Sequence, residues 1–462
     1  MGAPDDPEVA EPGLSPHAGT GGADVEPAEG TGATEAPAPA QDAAPSPDAR
    51  DEAAGQSPPD VAPAAPPPTG ESPADAAAPP ADATLAAPSP PPVPPVVDVR
   101  DLDWAAVRAA VDAPAIRARM RPIVERMEAL LDRAGGPGML FDADRADDSD
   151  RAIRVAAADA ATAGPLWIVG DLHGDLLALE AALALARDHA SRYGGPAPRI
   201  VLLGDLFDDE GFGLAVLLRV FELICEAPER VCVLAGNHDE ALAYDGVRFA
   251  SSVSPSDFAD FLNANLAHEW IERAGKLAVR LFARAPRALF FPDGLLVAHG
   301  GFPLTDLHPR LAETGDWNDP ACLSDFVWTR AHPKARRKLP NRYARGSQFG
   351  HEDFAAFCAL SATLARPVAR MARGHDHVEE RYAIYPAYAA YPVLTTVALS
   401  RRLPRESFGP FDRVPTVALA VEGTLPQVHR LHIPAEIVRE FYPEPDPAGA
   451  DSGDQTTEGA QA

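Results

Sequence analysis

The sequence predicts an α/β protein: a layered sandwich of mixed sheets between two tails that take no part in it. Two patterns carry this. From residue 164 onward, short continuous apolar runs alternate with helical segments, as expected of strands that helices cover on both faces. The ends, by contrast, cannot build a core. Residues 1–97 hold 24 of the 50 prolines and 16 acids against one base, Arg50, and the 22 residues from Phe441 hold five acids and no base. Such segments bury too little apolar surface to offset the entropy of ordering. We expect 1–97 and 441–462 to be disordered acidic tails, the first extended by its prolines and its own charge and serving as a spacer or tether. The formal net charge of −28 thus belongs mainly to the ends, and residues 98–440 keep −8 of it.

Taken in order, residues 98–150 read as a helical preface. Leu102, Trp104, Val107, Val111, Ile116, Met120, Ile123, Val124, Met127, Leu130 and Leu131 recur at helical spacing. Pro114 and Pro122 bound the candidate helices, and Gly135-Gly136 stops the second. The main domain, 151–440, follows. Strands are expected over 166–169, 200–203 and 231–234, with helices over 176–193 and 214–226 between them. A hairpin spans 288–291 and 295–298 through Pro292-Asp293-Gly294, and 393–399, 416–421 and 428–433 add further strands.

Several classes of function fall away. The longest apolar stretch, 214–225, is broken by Arg219 and Glu222, so no membrane span is expected. Asp5, Asp6 and Glu8 stand where a secretory leader would carry bases. Cys225, Cys232, Cys322 and Cys358 show no CxxC spacing and read as buried reduced thiols, which points to a cytoplasmic address. The acidic balance argues against nucleic-acid binding through a basic surface.

The strand ends carry the chemistry. The first three strands run into Gly170-Asp171-Leu172-His173-Gly174-Asp175, Gly204-Asp205-Leu206-Phe207-Asp208 and Gly236-Asn237-His238-Asp239. Two later ones run into His299-Gly300-Gly301 and Gly374-His375-Asp376-His377. Open α/β sheets place ligands at the carboxyl ends of strands, and glycine lets the chain turn sharply enough to bring carboxylates to one point. Converging carboxylates repel, and desolvating them costs roughly several kcal/mol each unless a cation compensates. Mixed oxygen and nitrogen donors suit two divalent ions such as Mn, Fe or Zn better than an all-oxygen calcium site. Two such ions about 3.5–4 Å apart serve in-line displacement at phosphorus. Each turn alone is commonplace; five of them, in order after predicted strands, are not.

The series GDLHG, GDLFD, GNHD, HGG and GHDH resembles the calcineurin-like metallophosphoesterases, and most closely the bacterial forms of the phosphoprotein phosphatase (PPP) family, over about residues 164–400. Phe326-Val327-Trp328-Thr329-Arg330 is similar to that family's Leu-Trp-Ser segment, and Arg345-Gly346-Ser347-Gln348-Phe349-Gly350 to its Arg-Gly-x-x-Phe-Gly segment. The resemblance implies an α/β/β/α sandwich of two mixed sheets and a metal-dependent phosphoesterase. Residue by residue, it implies that Asp171 and His173 bind a first metal, that Asp205 bridges two, and that Asn237, His299 and His375 complete the second site. His377 joins the first metal by the wider superfamily's pattern. A metal-bridging hydroxide would attack phosphorus. His238, oriented by Asp208, would protonate the leaving oxygen, and Arg345 would hold the phosphate through its planar fork. The implied substrate is a phosphorylated protein side chain of Ser/Thr type. A nucleotide or dinucleoside polyphosphate, or a phosphodiester, is the alternative, and a third reading makes the tail the working part.

The departures bear on substrate. The family continues its second motif with Arg-Gly, whereas Asp209-Glu210-Gly211 follows here. Arg330, Arg373 and Arg381 are the candidates to replace that arginine. The eukaryotic carboxyl-terminal segment with its Tyr is absent too, and residues 393–397 occupy its place. The basic run 330–345 is either a solvated loop or a rim that attracts an anionic substrate. Tyr382, Tyr385, Tyr388 and Tyr391 read as a packed loop.

Overall fold

The computed structural model describes residues 94–158, 163–208, 212–336, 347–401, 403 and 414–442; most of both expected tails lies outside them. In chain order the strands are β1 (Val97–Val99), β2 (Ala152–Arg154), β3 (Leu166–Val169), β4 (Arg199–Leu202), β5 (Val231–Val233), β6 (Leu242–Tyr244), β7 (Phe249–Ser251), β8 (Ala288–Phe290), β9 (Leu295–Ala298), β10 (Arg330–Ala331), β11 (Gln348–Phe349), β12 (Arg370–Arg373), β13 (Tyr382–Ile384), β14 (Val393–Thr396), β15 (Thr416–Leu419) and β16 (Gln427–Leu431). The helices are α1 (Trp104–Ala110), α2 (Ala113–Ala118), α3 (Met120–Leu131), α4 (Leu176–Tyr193), α5 (Gly213–Glu226), α6 (Asn237–Ala241), α7 (Asp257–Ala264), α8 (Glu269–Arg284), α9 (His308–Thr314), α10 (Pro320–Trp328), α11 (His351–Thr363) and α12 (Ala435–Phe441).

Two six-stranded mixed sheets organise the chain. One runs β1-β16-β15-β3-β4-β5 and the other β13-β14-β12-β9-β8-β2. β3, β4 and β5 are parallel and β15 is antiparallel to β3. β12 is parallel to both β9 and β14, while β8 is antiparallel to β9. The period of two along a strand sorts side chains between layers. On β3, Trp167 and Val169 point into the core shared with α4, α5 and α8, while Leu166 and Ile168 meet Val201, Leu203, Leu289, Val297, Ala372 and Leu394 between the sheets. On the far side, Leu296, Ala298 and Met371 pack with Phe302, Phe326, Phe354 and Phe357 beneath α10 and α11. Each such side chain removed from water stabilises the fold by about 1.5–3 kcal/mol. The result is the α/β/β/α order of layers expected from the sequence.

The segment from residue 97 is built into the first layer. β1 lies parallel to β16, and Ile123, Val124, Met127 and Leu130 of α3 pack into the core of α5 and α8. Asp103 and Asp112 cap α1 and α2 by accepting from Ala106 N and Ala115 N, each at 2.9 Å. Pro122 sits inside the first turn of α3 instead of bounding it, where its missing N–H has no partner to lose. At the other end, Phe441 closes α12, and Tyr442, assigned by composition to the tail, is buried with its hydroxyl 2.9 Å from Asp175 Oδ1. The short pairs β6–β7 and β10–β11, and the edge strands β2 and β13, lack a long apolar run to announce them. Tyr388 is buried in a packed loop, its hydroxyl donating to His332 O at 2.8 Å and Phe349 O at 3.0 Å. Among the described residues no helix is long and apolar enough to cross a membrane.

Candidate active site

The turns after β3, β4, β5, β9 and β12 meet at one place. Asp171 Oδ2 lies 3.1 Å from His377 Nε2, and the His375 amide donates to Asp171 Oδ1 and Oδ2 at 3.1 and 3.0 Å. His173 Nε2 is 3.2 Å from His377 Nε2 and 3.6 Å from Asp205 Oδ2. Asp205 Oδ2 is 3.4 Å from His299 Nε2, which also stands 3.2 Å from Asn237 Oδ1 and 3.1 Å from His375 Nδ1. All seven residues expected as metal ligands are thus brought together. Arg345 falls outside the described residues, as do Asp209, Glu210 and Gly211.

Close approach of backbone permits this convergence. A Cβ on Gly374 would lie 2.1 Å from Asp171 Oδ1, and one on Gly236 would lie 2.1 Å from Asp205 Oδ1. Glycine is required at both places because nothing larger leaves room for the carboxylate. His173 (φ 39°), Asp205 (φ 52°), Asp208 (φ 70°) and His375 (φ 67°) all occupy left-handed backbone. Non-glycine residues pay on the order of 1–3 kcal/mol for such conformations and hold them where the surroundings over-determine them. Here the surroundings include Arg401, whose Nη2 donates to His173 O at 2.6 Å, and the Ala398 amide, which donates to Asp171 O at 3.1 Å.

The donor set fits divalent cations. Three groups, Asp171–His173–His377, His173–Asp205–His238 and Asp205–His299–His375, each present ligand atoms within 4.8 Å of one another. His173 Nδ1 and His299 Nδ1 face the carbonyl oxygens of Phe207 and Leu203 at 3.2 and 3.0 Å. Those carbonyls place the ring proton on Nδ1 and leave an Nε2 lone pair aimed into the cluster. His375 turns its Nδ1 toward the cluster, 3.1 Å from His299 Nε2. Nitrogen lone pairs that converge without donors between them are the arrangement a metal ion satisfies.

Electrostatics agree with the geometry. Burial opposes ionisation of Asp205, but His299, His238 and His173 around it hold its carboxyl well below the usual range. Asp171 is buried too, and His299 and His377 hold it low. Burial, then the proximity of His377, pushes His173 well below the ordinary imidazole value. Burial, followed by Arg330 and His299, does the same to His375. His299 goes the other way: burial opposes its charge, but Asp205 and Asp171 raise its pKa. At His173 and His375, ionised carboxylates beside neutral imidazoles are the protonation states in which these groups ligate metal.

Beside this cluster His238 Nδ1 stands 2.7 Å from Asp208 Oδ2. The His238 amide donates to Asp205 Oδ1 at 2.9 Å, and the Phe258 amide donates to Asp208 Oδ1 at 2.9 Å. Burial raises the Asp208 pKa, with the His238 contact opposing. Asp239 has a part that its motif did not disclose. Its carboxylate accepts from the Asp205, Leu206 and Gly236 amides at 2.6, 3.1 and 2.9 Å, stitching the second turn to the third. Burial and the neighbouring Asp205 push it up to about 7. The only sequence signal for it is an acid three residues past the start of a helix, the place from which it can cap that start.

Residues 164–379 match the family model for calcineurin-like phosphoesterases. No curated protein matches the sequence. Among solved structures the chain is similar to a protein serine/threonine phosphatase from Saccharomyces cerevisiae with similarity to human phosphatase PP5, at 13% identity and a TM-score of 0.43, covering 71% of this chain and 90% of that one. It is also similar to the protein TT1561 of Thermus thermophilus, at 14% identity and a TM-score of 0.23, covering 51% and 90%. Over residues 164–379 the chain is thus similar to the calcineurin-like phosphoesterases.

Proposed function

We propose that the protein is a two-cation phosphomonoesterase acting on phosphorylated protein side chains of the Ser/Thr type, with residues 151–440 as its catalytic domain. The observation that carries the reading is the meeting of Asp171, His173, Asn237, His299 and His375 around Asp205, with the His238–Asp208 pair at its side. In this reading Asp171, His173 and His377 would hold one cation and Asn237, His299 and His375 a second, with the Asp205 carboxylate available to either. Divalent ions held there supply Lewis-acid activation of water and neutralise charge that builds on the phosphoryl oxygens. His238 gives a proton to the leaving oxygen, and Asp208 keeps its ring oriented and stabilises the imidazolium before that transfer. Asp239 keeps Asp205 in register by gripping its amide.

One observation favours a second reading. His377 lies against both Asp171 and His173, a first-site histidine that the wider superfamily has and the eukaryotic PPP pattern lacks, which admits a nucleotide, dinucleoside polyphosphate or phosphodiester substrate. The test is a rate comparison with Mn²⁺, Zn²⁺ and Fe²⁺ on phosphopeptides, diadenosine tetraphosphate and bis-p-nitrophenyl phosphate. Fastest turnover of phosphoserine or phosphothreonine peptides supports the first reading. Preference for either of the other two overturns it in favour of the second.

A further inference from the structure

We propose that Arg401 and Tyr442 are positioning residues for the cation assigned to Asp171, His173 and His377, an inference that rests on the two-cation reading above. Both lie beyond residues 164–379, the stretch that matches the family model. They belong to this chain's own carboxyl-terminal part and supply no ligand themselves.

The turn after β3 is held at alternate residues, Asp171, His173 and Asp175, all of them buried. The chain just past β14 does the holding. The Ala398 amide donates to Asp171 O at 3.1 Å, and Arg401 Nη2 donates to His173 O at 2.6 Å. The Ser400 amide and hydroxyl both donate to Asp175 Oδ2 at 2.7 Å. Asp175 in turn caps α4 by accepting from Ala178 N at 2.8 Å. The Arg401 contact falls where the backbone is hardest to keep in place, because His173 sits at φ 39°.

The last helix closes this arrangement. The Tyr442 hydroxyl donates to Asp175 Oδ1 at 2.9 Å, and its ring lies 5.5 Å from the guanidinium carbon of Arg401. Phe212 presents its ring to the same carbon at 5.7 Å and meets Tyr442 edge-on at 5.3 Å. A desolvated cation is held firmly against aromatic rings. Tyr442 is itself fixed by α12, whose Ile437 and Val438 are buried in the first-layer core. Burial, with Asp175 beside it, raises the phenol well above its ordinary pKa, so the hydroxyl stays a donor. A guanidinium is a costly way to fill buried space, and an apolar side chain would serve if packing were its whole task. Its aim at the carbonyl of a ligand residue is what sets it apart.

The test follows Mn²⁺ binding to the full chain by calorimetry and electron paramagnetic resonance, with the thermal midpoint of the metal-free protein recorded for each variant. Arg401→Gln should weaken one of the two binding events about tenfold or more and leave the other unchanged. Arg401→Lys should recover part of the loss. Tyr442→Phe keeps the ring, so its metal-free midpoint should stay close to wild type while the same event weakens about two- to tenfold. In a His173→Ala background, which lacks a ligand of that cation, adding Arg401→Gln should not alter the affinity of the cation that remains. Two binding events of wild-type strength in both Arg401→Gln and Tyr442→Phe overturn the assignment alone. So does equal weakening of both events with a lowered metal-free midpoint, which would make the pair a brace for the whole domain. Weakening that persists in His173→Ala overturns it as well. A wild type that binds fewer than two cations overturns the two-cation reading, and this assignment falls with it.

Discussion

His238 Nδ1 lies 2.7 Å from Asp208 Oδ2, and the two come from different strand-end turns thirty residues apart. The same histidine donates its backbone amide to Asp205, so the His238–Asp208 pair is tied to the carboxylate at the centre of the cluster. A general acid contributes about 10²–10⁴-fold to a rate. His238→Ala should lower kcat for p-nitrophenyl phosphate by that order and leave KM within a few-fold. Asp208→Asn should give a smaller loss of the same kind. Steady-state kinetics on both variants check this; a kcat near wild type in His238→Ala would remove it from the mechanism.

Gly374→Ala should be costly although it adds one methyl group. The new Cβ would fall 2.1 Å from Asp171 Oδ1, and that carboxylate is already held by the His375 amide and His377. Relief requires the carboxylate or the turn after β12 to shift, so we expect metal affinity to drop at least about tenfold, with a stability loss of about 1–3 kcal/mol. Metal titration and urea denaturation of the variant measure the two effects separately.

A histidine remote from the cluster should make stability depend on pH. His429 is buried, neither ring nitrogen has a partner, and its ring packs edge-on against Trp167 at 5.0 Å. Burial, with His189 nearby adding to it, pulls its pKa from 6.5 down to about 4. Between these values the unfolded chain binds a proton that the folded one refuses, so stability rises with pH across the window. Acidification from about pH 6.5 to 4 should therefore remove on the order of 3 kcal/mol through this residue. The difference in urea midpoint between pH 7.5 and 5 should shrink in His429→Leu. Identical differences in variant and wild type would show that His429 does not carry the effect.

The sequence disclosed more of the site than of its support. Gly-Asp and Gly-Asn-His turns after apolar strands leave a local trace, because a tight turn and a ligand must be adjacent in the chain. Asp171, His173, Asp205, Asn237, His299 and His375 were legible for that reason. The grip of Asp239 on three amides, and the approach of Arg330 to His375 and Asp376, depend on how distant loops pack and leave no such trace. Tyr442 shows this most plainly. Its partner Asp175 is 267 positions away, and its neighbours have the composition of a tail, so nothing local announces a buried hydroxyl. The layers were legible where runs were long and apolar, as at β3 and β9, and not where two or three half-buried residues make a strand, as at β10 and β13.

Counting bound divalent ions in purified wild type and Asp205→Asn, alongside phosphoesterase activity, reaches the centre of the account most directly. It predicts two ions per chain in wild type, fewer in the variant, and a fall in activity of at least about a hundredfold. An active wild type with no bound ion, or an Asp205→Asn protein that keeps both ions and full activity, would contradict it.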